Sequence, residues 1–330
     1  MNGVFDRIAA GFLPDEAQLC ELLLADADVW ARIYRVAGAL AGDVVYVRGI
    51  IEFSSHCRRA CRYCGLNRTN RSLARYRMTP DEIVDLAVAG YDAGYKTVVL
   101  QSGEDAYFTA ERLSDIVRRI KRARPVAVTL SAGEFSHDGY ARMRDAGCDR
   151  YLLKHETADP ALYQALHPDS SLEARLSCLR DLKSLGFETG GGFMVGLPGQ
   201  TASTLARDLR TVASIPCDMA GVGPFIPHPD TPLKGSAPGS VELTKRCVAL
   251  LRLLLPDANL PATTALGVLS GEGNADIFSC GANVIMKKLT PPNLIAKYSI
   301  YPADFGGMQG MLEERARLNQ FLEGLGKRHD

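Results

Sequence analysis

From residue 44 onward, short apolar, β-branched runs alternate with stretches whose apolar positions recur at helical spacing. The short runs predict eight strands: Val44–Phe53, Thr97–Gln101, Val126–Leu130, Arg150–Leu153, Glu188–Met194, Met219–Gly223, Leu260–Thr264 and Asn283–Met286. Between them, Leu113, Ile116, Val117 and Ile120 share one helical face, and Thr201–Val212 and Val241–Leu255 repeat the pattern. Thr79-Pro80-Asp81-Glu82 reads as a helix start, with a Thr cap, Pro at the first position and acids in the first turn. Upstream, Ala17–Leu24, opened by Asp15, and Val29–Leu40 predict two helices; downstream, Pro291-Pro292 precedes a polar helix over Met311–Leu322. Strands alternating with helices mark βα units around a parallel sheet. Eight such units predict an α/β fold, a TIM-type (β/α)8 barrel; the alternative is an open doubly wound sheet. The expected organisation is an N-terminal helical extension over 1–43, the barrel over 44–289, and a C-terminal cap and helix over 290–330. The first strand is followed by a long loop, His56–Met78, rather than a Gly-x-Gly-x-x-Gly turn. Loops after strands form the active face of a barrel.

Composition narrows the function classes. The 330 residues carry 38 basic and 38 acidic side chains, a formal net charge of zero. That lacks the basic excess of a nucleic-acid binder. With 46% hydrophobic and 23% charged residues the chain reads as an ordinary folded protein rather than a disordered one. No apolar run approaches the roughly 18 residues of a membrane span; Val248–Leu255 is interrupted by Arg252. The first residues lack the basic and apolar regions of a secretory signal. The expectation is a cytoplasmic protein with neither nucleic acid nor membrane as partner.

The nine cysteines are odd in number and unevenly spread, unlike a disulfide framework. Three of them, Cys57, Cys61 and Cys64, fall on the long loop. A structural zinc site wants four ligands, usually as two separated pairs, and here the second pair is missing. His56 as a fourth ligand would strain the chelate beside Cys57. Three thiolates on one loop suit three corners of an iron–sulfur cubane, leaving the fourth iron open to bind and reduce a ligand. The bland readings are a zinc knuckle or three unrelated thiols.

Cys57-x3-Cys61-x2-Cys64, with Tyr63 before the last cysteine and a barrel pattern around it, resembles the radical S-adenosylmethionine enzymes. The resemblance implies a [4Fe-4S] cluster whose open iron takes the amino and carboxylate groups of S-adenosylmethionine, and one-electron cleavage to a 5′-deoxyadenosyl radical. The protein then binds, orients and excludes water. Within that family, Ile51-Glu52-Phe53-Ser54, Cys64–Arg68, Tyr76–Pro80, Val99–Asp105, Tyr151–Ala158 and Met194–Thr201 resemble the HydE branch of FeFe-hydrogenase maturases. Gly223–Pro232, Pro261–Thr264 and Cys280–Met286 discriminate further. The likeness covers about residues 45 to 302. Biotin synthase and methylornithine synthase share the plan but are less alike in the last three stretches. After Cys280 the chain has no cysteine, so no second cluster is expected there.

The resemblance implies roles residue by residue. Cys57, Cys61 and Cys64 ligate the cluster. Ser102 and Glu104, where the second strand ends, hold the methionine amino group, Glu104 offering the acceptor an ammonium needs; the bland reading is a helix-capping loop. Glu156, after the fourth strand, accepts the ribose hydroxyls, or else only pairs with Lys154 or His155. Arg175 forks onto the methionine carboxylate, or is simply solvated. Tyr63, Gly196, Phe225 and Ile226 flank the adenine, the Gly190-Gly191-Gly192 and Gly196-x-x-Gly199 stretches letting backbone approach it. Thr129, Arg150, Thr263, Thr264 and Met286 on strands, with Tyr298 and Tyr301 from the cap, surround the substrate. Arg150 is notable because an arginine inside a barrel needs a partner or an anion. His137, His167 and His329 read as surface residues, and His228 as a loop constraint.

The implied function is S-adenosylmethionine cleavage acting on a small sulfur-containing or iron–cysteine substrate in assembly of the hydrogenase cofactor. The implied partners are that small molecule, a reductant such as ferredoxin or flavodoxin, and other maturases. Two alternatives stay open. One is a radical mutase of the methylornithine and biotin synthase branch; the absence of auxiliary-cluster cysteines argues only against sulfur insertion. The other is a non-catalytic metal-binding scaffold, against which the intact set of Cys57, Cys61, Cys64, Ser102, Glu104, Glu156 and Arg175 speaks.

Overall fold

The computed structural model describes residues 4, 7, 8, 11–303 and 310–330, with the side chains of 272–274 left aside. Parts of the N-terminal extension and residues 304–309 of the expected cap lie outside the described residues, as does most of the segment read against a secretory signal.

Two helices lead in, α1 (Glu16–Leu23) and α2 (Ala27–Ala41). Asp15 and Asp26 cap them, each side-chain oxygen accepting an amide of the first turn. Eight parallel strands then alternate with helices: β1 (Val44–Ser54), β2 (Thr97–Ser102), β3 (Ala127–Ser131), β4 (Arg150–Leu152), β5 (Glu188–Gly191), β7 (Met219–Ala220), β9 (Pro261–Ala262) and β10 (Val284–Lys288). Neighbours in chain order pair from β1 through β7, β9 pairs with β10, and β10 returns to β1. A bridge between Met219 and Asn259 joins β7 to the approach of β9 and completes the circuit. The architecture is the (β/α)8 barrel that the strand count predicts.

The outer helices are α3 (Pro80–Asp92), α4 (Ala110–Ala123), α5 (His137–Asp145), α6 (Pro160–Leu166), α7 (Leu172–Ser184), α8 (Ala202–Ser214), α9 (Val241–Leu254), α10 (Thr264–Ser270), α11 (Pro292–Ile295) and α12 (Met311–Gly324). The predicted face of α4 is the buried one: Leu113, Ile116, Val117 and Ile120 are fully covered. At α3, Thr79 and Glu82 form a capping box, Thr79 Oγ1 accepting from the Glu82 amide at 3.2 Å and Glu82 Oε2 from the Thr79 amide at 2.7 Å. The N-terminal helices pack on α8 and α9.

Three expected strands differ. The fifth and sixth split, and their outer halves, β6 (Met194–Val195) and β8 (Gly223–Pro224), pair separately above the barrel. The break is at Gly192, whose φ of +142° and whose contact with Gly221, 2.2 Å from a would-be Cβ to its carbonyl oxygen, exclude any side chain. The seventh ends at Ala262, because Thr263 caps α10 and Thr264 starts it. One strand has no counterpart among the predictions: β11 (Arg328–His329) adds in parallel to the start of β1.

Candidate active site

All the loops that follow the C-terminal ends of the strands meet at one mouth of the barrel. The cysteine loop after β1 is pinned from inside by Arg75, whose guanidinium donates to the carbonyls of Ser55, Leu66, Asn67 and Asn70. Gly103 lets the loop after β2 press against it, since a Cβ there would lie 2.2 Å from the His56 carbonyl oxygen. The amides of Arg59 and Glu104 consequently donate to Cys57 Sγ at 3.5 and 3.4 Å. Cys57, Cys61 and Cys64 are free thiols, half-buried. Burial pushes all three pKa values up, Cys61 to about 12, and each is raised further by the charge of a neighbouring cysteine or acid. Such thiols become thiolates only against compensating positive charge, as ligation provides. Among the described residues no three Cys, His, Asp or Glu converge tightly enough for a single metal ion. A cubane spreads its thiolates over three corners, and an all-thiolate donor set suits iron–sulfur ligation.

A charged chain lies against this loop. Glu104 takes Arg58 Nη2 at 2.6 Å and Arg59 Nε at 2.8 Å on its two oxygens. Arg59 Nη2 reaches Glu134 at 2.5 Å, and Glu134 Oε1 lies 2.9 Å from Arg175 Nε. Glu104 and Arg175 are thus joined through Arg59 and Glu134, two residues sequence reasoning did not single out. Burial works against the Glu104 charge, but the two guanidiniums prevail and hold its pKa below the ordinary value. Burial likewise opposes the Arg175 charge, and Glu134 more than restores it. An ammonium arriving at Glu104 must displace a guanidinium, whereas the buried Ser102 Oγ has no partner at all.

Below the loop, the barrel holds a cavity of about 260 Å³. Of the expected residues, Tyr63, Glu156, Phe225, Ile226, Thr129, Thr263, Thr264, Met286, Tyr298 and Tyr301 line it. Glu156 has φ +68°, the one left-handed non-glycine residue among those described. Its backbone is held by Gly192, whose carbonyl accepts the amides of His155 and Glu156 at 3.0 and 3.1 Å. Its Oε2 lies 3.1 Å from Lys154 Nζ, yet makes no hydrogen bond of good geometry. Thr129 Oγ1 and Tyr298 Oη are also buried without a partner. Buried polar atoms are normally paired, so the two orphaned hydroxyls, with the Glu156 carboxylate held only by its ion pair to Lys154, mark places in this cavity for a bound molecule. Tyr301 is hydrogen-bonded to Thr264. The 298–301 segment closes the cavity from the side: the Gly65 amide donates to the Ile300 carbonyl at 2.9 Å, and His228 Nε2 and Ser299 Oγ are 3.0 Å apart.

Three expectations change. Arg150 is not in this cavity. It begins β4, so it sits at the opposite mouth of the barrel, paired to Glu188 at 2.5 Å and lining a separate polar pocket. The buried arginine on the cavity floor is Arg48, which donates to Met219 Sδ at 3.2 Å. Burial and the nearby Arg150 lower its pKa to about 10. A charged residue inside the apolar run Val44–Phe53 was the available signal. Gly196 does not reach the cavity: its amide donates to Gln200 Oε1 at 2.6 Å, and its face abuts Gly239. His167 is buried rather than at the surface, its Nε2 2.9 Å from the Tyr63 hydroxyl and its ring stacked on Tyr163. Its Nδ1 faces the Tyr163 carbonyl, so the neutral ring donates there and accepts from Tyr63. The sequence also passed over the buried Glu52–Lys288 pair, 2.7 Å, on the cavity wall.

The radical SAM superfamily matches residues 51–212. The chain is 54% identical over 261 residues to the [FeFe] hydrogenase maturase subunit HydE of Thermotoga maritima, covering 79% of this chain and 75% of that one. This chain belongs to the HydE family of radical S-adenosylmethionine enzymes. Further relatives of the family are more distant. The 3-methylornithine synthase of Methanosarcina acetivorans is 28% identical over 332 residues, 97% of this chain and 92% of that one. A crystal structure of methylornithine synthase superposes with a TM-score of 0.86 at 25% identity, over 99% of this chain and 97% of that chain. The maturase HydG shares the fold, with a TM-score of 0.84 at 16% identity over 99% of this chain and 75% of that one. Membership makes the chain an enzyme that uses S-adenosylmethionine and an iron–sulfur cluster. The three thiols and the orphaned polar atoms fit both groups.

Proposed function

We propose that Cys57, Cys61 and Cys64 hold one [4Fe-4S] cluster and that the enzyme acts on a small sulfur-containing or iron–cysteine substrate during assembly of the FeFe-hydrogenase cofactor. When bound, the cluster and S-adenosylmethionine supply a 5′-deoxyadenosyl radical at the mouth of the barrel. Ser102, with Glu104 behind it, receives the methionine ammonium. Arg175, held by Glu134, receives the carboxylate through its planar fork. Glu156, fixed in its left-handed conformation, accepts the ribose hydroxyls. Tyr63, locked by His167, and Phe225 with Ile226 form apolar walls for the adenine. Thr129, Thr263, Thr264, Met286, Tyr298 and Tyr301 enclose the substrate, and Arg48 and Lys154 offer charge for an anionic group on it. Burial of this wall excludes water from the reacting atoms.

One observation carries the reading: three free thiols lie on the loop whose Tyr63 lines a cavity in which the Thr129 and Tyr298 hydroxyls have no partner and the Glu156 carboxylate has only its ion pair with Lys154. The 54% identity to a hydrogenase maturase supports the choice of pathway. A mutase of the methylornithine branch is the second reading, favoured by the superposition over nearly the whole chain. The proposed partners are ferredoxin or flavodoxin as reductant and other maturases. The proposed compartment is the cytoplasm, where nine free cysteines suit a reducing environment. Among the described residues no helix is long and apolar enough to cross a membrane.

Anaerobic reconstitution tests the proposal, with iron counted per chain and 5′-deoxyadenosine assayed after dithionite reduction. About four irons with deoxyadenosine formed is the expected result. Iron uptake without S-adenosylmethionine cleavage would refute it and favour a scaffold.

A further inference from the structure

The loop that carries the cluster cysteines also carries seven arginines between Arg58 and Arg77, and residues 57–78 contain no Asp, Glu or Lys. Two of the seven are committed to structure, Arg59 to Glu104 and Glu134, and Arg75 to four backbone carbonyls. The other five, Arg58, Arg62, Arg68, Arg71 and Arg77, are exposed. The carboxylates that partly balance them are more buried than they are. The Glu104 side chain is 8% exposed against 53% for Arg58, and the Asp105 side chain 2% against 39% for Arg77. Arg62 and Arg71 have no carboxylate partner among the described residues. Arg68 folds back on the Arg58 carbonyl and on Asp169, and the Arg62 amide is held by the Leu166 carbonyl. In a chain of zero net charge, positive groups are thus concentrated on the outside of the one loop that holds Cys57, Cys61 and Cys64.

We propose that these exposed arginines are the docking surface for a small acidic one-electron carrier protein, flavin- or iron–sulfur-containing, that reduces the cluster. This rests on the radical-enzyme reading above. In the step, one electron leaves the reduced carrier and enters the oxidised cluster; the carrier departs oxidised by one electron, and no atom or proton is transferred. A concentrated positive surface steers an acidic partner and orients it at encounter. Guanidinium forks suit the carboxylate clusters of such a partner. Arg58 and Arg62 directly follow Cys57 and Cys61 in the chain, so a carrier docked on this surface lies against the cysteine loop itself. Nucleic acid fits less well. The loop's aromatic residues, Tyr63 and Tyr76, are committed inward, to His167 and to the Glu52 carbonyl, and leave no stacking platform.

The reconstituted enzyme and its Arg62→Glu/Arg71→Glu variant are compared with three reductants: dithionite, a reduced flavodoxin and a reduced ferredoxin. Affinity for each carrier is measured separately by titration calorimetry. The expected result is unchanged dithionite-driven deoxyadenosine formation. Carrier-driven formation and carrier affinity should fall roughly tenfold or more at low salt. In the unmodified enzyme, carrier-driven turnover should fall as salt rises while dithionite-driven turnover does not. Equal carrier affinity in both proteins, or carrier-driven turnover indifferent to salt, overturns the proposal. So does tight binding of an RNA duplex by the arginines with neither carrier bound. If dithionite yields no deoxyadenosine, the enzymatic reading fails, and the calorimetric comparison still decides the docking surface. Should the double variant lose its iron, the single variant Arg71→Gln and the salt dependence of the unmodified enzyme decide instead.

Discussion

Arg175 shows how a single side chain at this site is both structural and available. Its guanidinium is nearly buried and leans on Glu134, but Nε makes no well-aligned hydrogen bond. Replacing it with Ala should weaken S-adenosylmethionine binding about 10- to 100-fold, the worth of a charge-assisted fork. Iron content should stay unchanged; loss of iron would refute the assigned role. Cys61→Ala, by contrast, should abolish both cluster and cleavage, as iron analysis and the deoxyadenosine assay will show. His167 makes a pH prediction. Burial pushes its pKa down to about 4, against about 6.5 in an unfolded chain. Between those values the unfolded chain binds a proton that the folded chain does not, so stability falls as pH drops through the window. From pH 7 to 5 the loss is about 2 kcal/mol. Urea unfolding at both values should show it in the parent and not in His167→Gln.

At the scale of elements, the barrel depends on where strands stop as much as on where they run. Gly192 ends β5 and supplies the carbonyl that holds Glu156 in its left-handed turn. Gly192→Ala should therefore destabilise by several kcal/mol and disturb the ribose contact as well. A variant with unaltered unfolding midpoint and unaltered S-adenosylmethionine affinity would contradict this. The helix starts were legible because capping is local chemistry: Thr79, Pro80 and Glu82 declare α3 without help from the rest of the chain. Thr79→Ala should cost about 1 kcal/mol in urea unfolding and leave activity alone. The divided fifth and sixth strands were not legible. Met194 and Gly223 continue apolar runs, and only the close approach of Gly192 to Gly221 shows that the runs are broken.

Across the whole molecule, one continuous apolar core joins the parts. Leu19 and Trp30 from the N-terminal helices, Val98 and Leu130 from the barrel, and Leu318 and Leu322 from α12 belong to it. A shared core predicts one calorimetric unfolding transition; two separated transitions would show the extension or cap folding independently. The sequence by itself determined the eight βα units, their capping chemistry and the three thiols, because periodicity, caps and ligand spacing are properties of neighbouring residues. Arg175, Glu156 and the threonines were legible only through resemblance. The tertiary structure decided the rest. It sent Arg150 to the far mouth and put Arg48 on the cavity floor, since strand residues at opposite ends of a barrel look alike in sequence. It buried His167 against Tyr63 and threaded Arg59 and Glu134 between Glu104 and Arg175. Each of these pairs residues more than 40 positions apart in the chain or sorts them by barrel end. Only closure of the barrel brings such groups within reach of each other, and so only closure decides which charges face the ligand and which face one another.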